Sequence, residues 1–174
     1  MNRIIVLLLL AGCAAQPAAP PVPSDVRVPI DRFARIAEGL YRSAQPNSAS
    51  LRALKEADFR TIINFRSQHS ERAEAEALGL RVVEIPMTAD KPPTDDEVRR
   101  YFEVVLDRAA RPVLIHCAVG RDRTGAMAAL YRIEVEGWTN NDAVAEMLAL
   151  GFNKKYVDLM EFVRAYRPRG FARK

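Results

Sequence analysis

A chain of 174 residues holds one ordinary domain and leaves little room for a second. Its 49% hydrophobic and 28% charged residues exclude a disordered or fibrous protein. The formal charge of +4 favours anionic partners in general, but no zinc-type cysteine cluster, repeat or aromatic-rich basic stripe is present, so neither a metal nor a nucleic acid is expected.

In chain order, Arg3 is followed by seven strongly apolar residues, Ile4-Ile-Val-Leu-Leu-Leu-Leu10, and then by Ala11-Gly12-Cys13. A positive start, a short apolar core and small residues before a cut site compose a secretory signal. The run is too short to cross a bilayer as a helix, which takes about 20 residues. Leu10-Ala-Gly-Cys13 resembles the lipobox of bacterial lipoproteins. That resemblance implies a signal peptide over 1–12, cleavage before Cys13, and a membrane anchor built on the Cys13 thiol and the new amino terminus. Two or more acyl chains anchor stably where one is marginal. Ala14 stands where an inner-membrane retention signal carries Asp, so the resemblance points to the cell envelope, on the periplasmic side of the outer membrane. Residues 13–24 form the lipidated cysteine and an extended spacer, with four prolines and no charge after Cys13. The alternative is an uncleaved apolar helix on a cytosolic enzyme. With Cys13 modified, Cys117 is the one free thiol, and a disulfide framework is not expected.

From residue 25 to 174, β-rich runs alternate with helical patterns, which predicts one α/β domain. Phe33–Ala37 and Leu40–Ser43 flank Glu38-Gly39 as a hairpin. Asn47 or Ser48 caps a helix through Ala57, and Thr61–Phe65 reads as a buried strand. Ser70 caps a helix ending near Gly79, and Arg81–Ile85 is the next strand. Thr94-Asp-Asp-Glu97 is a capping box for a helix to about Ala109. Pro112–His116 is the last strand and runs straight into Cys117; a helix follows from about Arg123 to Glu136, stopped by Gly137. Two more helices fit Asn140–Leu150 and Lys154–Ala165.

The segment His116-Cys-Ala-Val-Gly-Arg-Asp-Arg-Thr-Gly125 thus lies between a strand and a helix. A phosphate dianion needs many donors at once, and the first turn of a helix offers free amides and a positive dipole end. A loop from Cys117 through Ala118, Val119, Gly120, Arg121 and Asp122 to Arg123 can aim successive amides at one point, with Gly120 easing the tight path. Arg123 can close over two phosphate oxygens as a fork, which lysine cannot imitate. The same field acts on sulfur: a free cysteine titrates at about 8.5, and at a helix N-terminus beside arginine it falls to roughly 3.5–7.5. Cys117 is therefore the candidate nucleophile, and Thr124 can donate to the sulfur as it leaves. His116 orients the loop.

His-Cys-x5-Arg-Thr-Gly resembles the signature of the protein tyrosine phosphatase superfamily, above all its compact dual-specificity branch. Leu40-Tyr-Arg-Ser-Ala-Gln-Pro46 and Thr61-Ile-Ile-Asn-Phe-Arg66 extend the likeness, which covers roughly 28–152 and is similar to small bacterial periplasmic phosphatases. The resemblance implies a central mixed sheet flanked by helices, a cysteinyl-phosphate intermediate and no metal or organic cofactor. It implies a phosphorylated protein as substrate, phosphotyrosine first, or alternatively a phosphoinositide, inositol phosphate or phospholipid, and a monomeric enzyme. A phosphate-binding sensor without turnover and a rhodanese-like sulfurtransferase are the readings from other classes.

The superfamily's general acid is an aspartate on a mobile loop. Asp90, in the proline-rich segment before the capping box, fits that place; its rival is Asp122, just before the signature arginine. Asp95 and Asp96 suit the first turn of a helix instead. Arg66 either supports the loop or makes a strand-end ion pair, and Arg121 either meets a second phosphate or is solvated. Arg42 reads as structural, and the C-terminal arginines as a solvated basic end.

Overall fold

The computed structural model of the chain describes residues 26–172, so the apolar N-terminus, Cys13 and the proline-rich spacer lie outside the described residues. Five short strands, β1 (Ala34–Ala37), β2 (Leu40–Ser43), β3 (Thr61–Asn64), β4 (Arg81–Glu84) and β5 (Val113–His116), make one mixed sheet in the order β1-β2-β5-β3-β4. β1 and β2 form the antiparallel hairpin, turning at Gly39 with φ of 68°; all other pairings are parallel. β3 and β5 are buried along their whole length, as parallel strands covered on both faces must be.

The helices are α1 (Ser48–Glu56), α2 (Arg72–Ala77), α3 (Asp95–Val105), α4 (Asp122–Glu134), α5 (Asn140–Ala149) and α6 (Val157–Ala165). Alternate strand residues serve opposite faces. Tyr41, Ile62 and Leu114 pack with Leu51, Leu54 and Ala75 under α1 and α2. Leu40, Ile63 and Ile115 pack with Phe102, Met127, Leu130, Met147 and Val163 under α3 to α6. Each fully buried aliphatic side chain contributes about 1.5–3 kcal/mol, so the two clusters clamp the short strands from both sides.

Two local expectations need correction. The helix begun by the Thr94 capping box ends at Val105 rather than Ala109, because the Asp107 carboxylate accepts the Ala109 amide and starts a separate 3-10 turn, Arg108–Ala110. Ser70 accepts the Arg72 amide at 3.1 Å, but the capping position itself belongs to Glu71, whose side chain does not cap. The C-terminal segment docks through its backbone and aromatic rings, while Arg164, Arg167 and Arg169 stay exposed and Arg173 and Lys174 lie outside the described residues. The Glu134 carboxylate accepts from the Tyr166 hydroxyl and from the amides of Arg169 and Phe171. Arg169 pairs with Asp95 at 2.7 Å, and Phe171 stacks on Phe102 at 4.9 Å.

The parallel strands β2, β3, β4 and β5 end together at Ser43, Asn64, Glu84 and His116, so polar residues gather along one edge of an otherwise apolar sheet. In open parallel sheets that carboxyl edge is where ligands bind. No helix among the described residues is long and apolar enough to cross a membrane.

Candidate active site

β5 delivers Cys117 to the carboxyl edge, and the chain needs five residues to turn back into α4, which begins at Asp122. Gly120 makes that turn possible on two counts. Its φ is +73°, a backbone conformation that favours glycine, and a Cβ there would sit 2.6 Å from the Ala44 nitrogen. The close approach brings β2 against the loop: the buried Arg42 guanidinium donates to the Gly120 carbonyl at 2.9 Å, and the Gln45 amide donates to the Ala118 carbonyl at 3.3 Å. Arg42 is thus structural, as its place in Tyr-Arg-Ser suggests, and what it supports is this loop.

Cys117 is a buried free thiol. Burial pushes its pKa up, but the Thr124 hydroxyl and amide, the Arg123 charge and the Gly120 amide outweigh it, and the thiol is held below its ordinary value. The Thr124 hydroxyl is buried and, among the described residues, has no partner other than the Cys117 sulfur it stabilises. Arg123 donates through Nη1 to the carbonyls of Phe65 and Met87, both at 3.1 Å, while its buried Nε has no partner. One side of the guanidinium is therefore fixed to the ends of β3 and β4, and the Nε side keeps an unspent donor. That arrangement can receive a doubly hydrogen-bonded oxyanion.

On the far side of β5, His116 is fully buried between two acceptors. Nε2 donates to the Glu71 carboxylate at 2.8 Å, and Nδ1 lies 3.3 Å from the Cys117 carbonyl oxygen. Burial pushes Glu71 up, but hydrogen bonds from His116 and Gln45 and the His116 charge bring it below the usual carboxylate range. Arg66 reaches this group only through Gln45, donating to its Oε1 at 3.3 Å.

The two candidate acids differ. Asp122 is nearly buried, and its Oδ1 accepts the Asn153 amide at 2.8 Å, tying the start of α4 to the α5–α6 connection. Asp90 is exposed, and the Thr88 side chain, its own amide and Lys91 hold its carboxyl below the ordinary range. Its loop is tethered to the site at Met87, whose carbonyl receives Arg123. Arg121 stands at the capping position of α4 with its chain against Gly151 and its buried Nε unpartnered. Val119 is the exposed apolar residue on the loop's rim. Among the described residues no cluster of His, Cys, Asp or Glu is arranged to hold a metal ion.

The structure therefore brings Cys117, Gly120, Arg123, Thr124 and His116 together, while Asp90 is exposed on the loop after β4 with Thr88 and Lys91 as its neighbours. Sequence reasoning missed Glu71 and Gln45. Gln45 stands within the quoted Tyr-Arg-Ser-Ala-Gln-Pro run, whereas Glu71 carries no local signal and reads as one more acidic residue near a helix start.

Residues 32–165 match the family described as DSP-PTPase phosphatase fused to NAD+ Kinase. The dual specificity protein phosphatase TpbA of Pseudomonas aeruginosa (strain UCBPP-PA14) is 34% identical over 155 residues, 88% of this chain and 70% of that protein. A crystal structure of P. aeruginosa TpbA in complex with phosphotyrosine is 33% identical with a TM-score of 0.68, covering 80% of this chain and 87% of the other. Inositol diphosphatase DSP1 of Oryza sativa subsp. japonica is 28% identical over 146 residues, 80% of this chain and 65% of that protein. The chain belongs to the dual-specificity branch of the protein tyrosine phosphatase family and is a phosphoric monoester hydrolase.

Proposed function

We propose that the protein dephosphorylates phosphotyrosine in proteins, with phosphoserine and phosphothreonine as further substrates, through a phosphate bound to Cys117. The observation that carries this reading is the pairing of a buried, pKa-depressed Cys117 with an Arg123 fixed on one side and open at Nε. The thiolate attacks phosphorus, the bond to the ester oxygen breaks, and Asp90 protonates that oxygen as it leaves. Water then attacks the cysteinyl-phosphate, giving a proton to the Asp90 carboxylate; the S–P bond breaks, and the thiolate returns with release of phosphate. Loop amides and Arg123 carry the equatorial charge throughout. The likeness to a phosphatase crystallised with phosphotyrosine supports the choice of substrate.

Inositol phosphates are the second reading. It is favoured by Arg121, a loop residue whose Nε is buried beside Gly151 without a hydrogen-bond partner among the described residues, and by the likeness to an inositol diphosphatase. Hydrolysis of p-nitrophenyl phosphate in the presence of a chelator, beside Cys117→Ser, tests the cysteine mechanism. A phosphotyrosyl peptide set against an inositol polyphosphate panel then separates the substrates. Turnover that survives in Cys117→Ser would overturn the mechanism.

The same proposal places the enzyme in the bacterial envelope, anchored through lipid on Cys13. Support comes from Leu10-Ala-Gly-Cys13 and the uncharged proline-rich spacer after it. Fatty-acid labelling of the expressed chain, lost in Cys13→Ser, is the expected result; equal labelling of both would contradict it.

A further inference from the structure

We propose that Glu71 is a positioning residue for the phosphate loop, setting the direction of the first two loop amides through His116 and Gln45. The inference rests on the phosphate-binding reading of that loop. Glu71 Oε1 accepts from His116 Nε2 at 2.8 Å; Oε2 accepts from Gln45 Nε2 and from Asn64 Nδ2, both at 3.0 Å. His116 faces the Cys117 carbonyl oxygen, and the Gln45 backbone amide donates to the Ala118 carbonyl. Both groups that meet the loop's first two carbonyls are thus held by one carboxylate.

A trans peptide is planar, so drawing a carbonyl one way turns the next N–H the opposite way. With His116 as the imidazolium, Nδ1–H donates to the Cys117 carbonyl as Nε2–H does to Glu71; holding the Cys117 and Ala118 carbonyls back against the protein then turns the amides of Ala118 and Val119 away from it, toward the concave side of the loop. The Gln45 side-chain carboxamide is itself oriented, since its oxygen takes Arg66 Nη1 while its nitrogen faces Glu71, and it fixes the residue whose backbone amide meets Ala118. A carboxylate beginning a helix ordinarily spends itself on the helix's free amides. Glu71 does not: Ser70 takes the Arg72 amide, and the Glu71 side chain, only 3% exposed, turns into the protein to meet three donors. Burying an anion is costly unless it is fully paired, and two of this one's three donors, His116 and Gln45, lead toward Cys117.

The role is read in Glu71→Gln, which keeps the shape but presents an NH2 to a site filled by donors. Vanadate inhibition and kcat/KM on p-nitrophenyl phosphate are both expected to weaken by about ten- to a hundredfold, the scale of a small misplacement of binding groups. The pH midpoint of Cys117 alkylation is expected to stay in place, because the Thr124 and Gly120 amides, the Thr124 hydroxyl and Arg123 set it. Gln45→Leu removes part of the same network from a half-buried position and is expected to weaken vanadate by about tenfold, with the double variant no worse than Glu71→Gln. If Glu71→Gln does not fold, Gln45→Leu decides. Vanadate affinity within twofold of wild type in every variant that folds overturns the proposal, as does additive loss in the double. Calorimetric binding of inorganic phosphate by the same variants in a Cys117→Ser background gives the same answer without turnover, so failure of the catalytic reading and failure of this inference remain distinguishable.

Discussion

The two sides of the site are built in opposite ways. Around Cys117 four neighbours are held: Arg42 holds Gly120, Gln45 holds Ala118, Phe65 and Met87 hold Arg123, and Glu71 holds His116. Around Asp90 little is fixed beyond the Met87 tether, and the carboxyl is exposed with a lowered pKa. The difference follows from the work each side must do. Binding a dianion and holding a thiolate reward donors already in place, because nothing then reorganises during the reaction. An acid that meets the leaving oxygen only while substrate is bound works from a loop that can move. A depressed carboxylate loses its proton at low pH, so the acidic form must be recovered as the loop approaches the bound phosphate.

The largest way to break the fixed side is Cys117→Ser, which should lower kcat by about 10⁴-fold or more while phosphate binding persists. Arg123→Ala removes the oriented fork and should cost about 10²–10³-fold in kcat, with weaker vanadate binding. On the exposed side, Asp90→Asn should cost about 10²–10³-fold on an ester with a poor leaving group and much less on p-nitrophenyl phosphate. It should also flatten the limb on which kcat/KM falls as pH rises through deprotonation of the acid. Asp122→Asn is expected to cost about tenfold or less, by loosening the tie to Asn153, and to leave that limb intact. Loss of the limb in Asp122→Asn with its retention in Asp90→Asn would exchange their roles.

The same contrast explains what the sequence reveals. Strand, Cys117, loop, Arg123 and helix are consecutive, so their chemistry is legible from spacing alone. The Thr94 capping box is equally local, and it forms. The supports are different. Glu71 meets His116 across 45 residues of chain, and Arg42 meets the loop across 78. Asp122 is fixed by a backbone amide 31 residues away, and backbone amides leave no mark in a sequence. That tie gives Asp122, the rival candidate acid beside the signature arginine, a structural partner that its sequence position does not reveal. The docking of the C-terminal segment is hidden for a similar reason: Arg169 meets Glu134 and Asp95, which no local pattern links to it.

The central claim is that the site is preorganised around an activated Cys117 before substrate arrives, independently of the acid loop. Its most direct test is the rate of Cys117 alkylation by iodoacetamide against pH, in the free enzyme and in Asp90→Asn. Alkylation rises with pH as the thiol ionises, so a lowered pKa predicts a midpoint below the ordinary thiol value of about 8.5, identical in both proteins and protected by phosphate. A midpoint at or above that value, or one that moves with Asp90, would contradict the account.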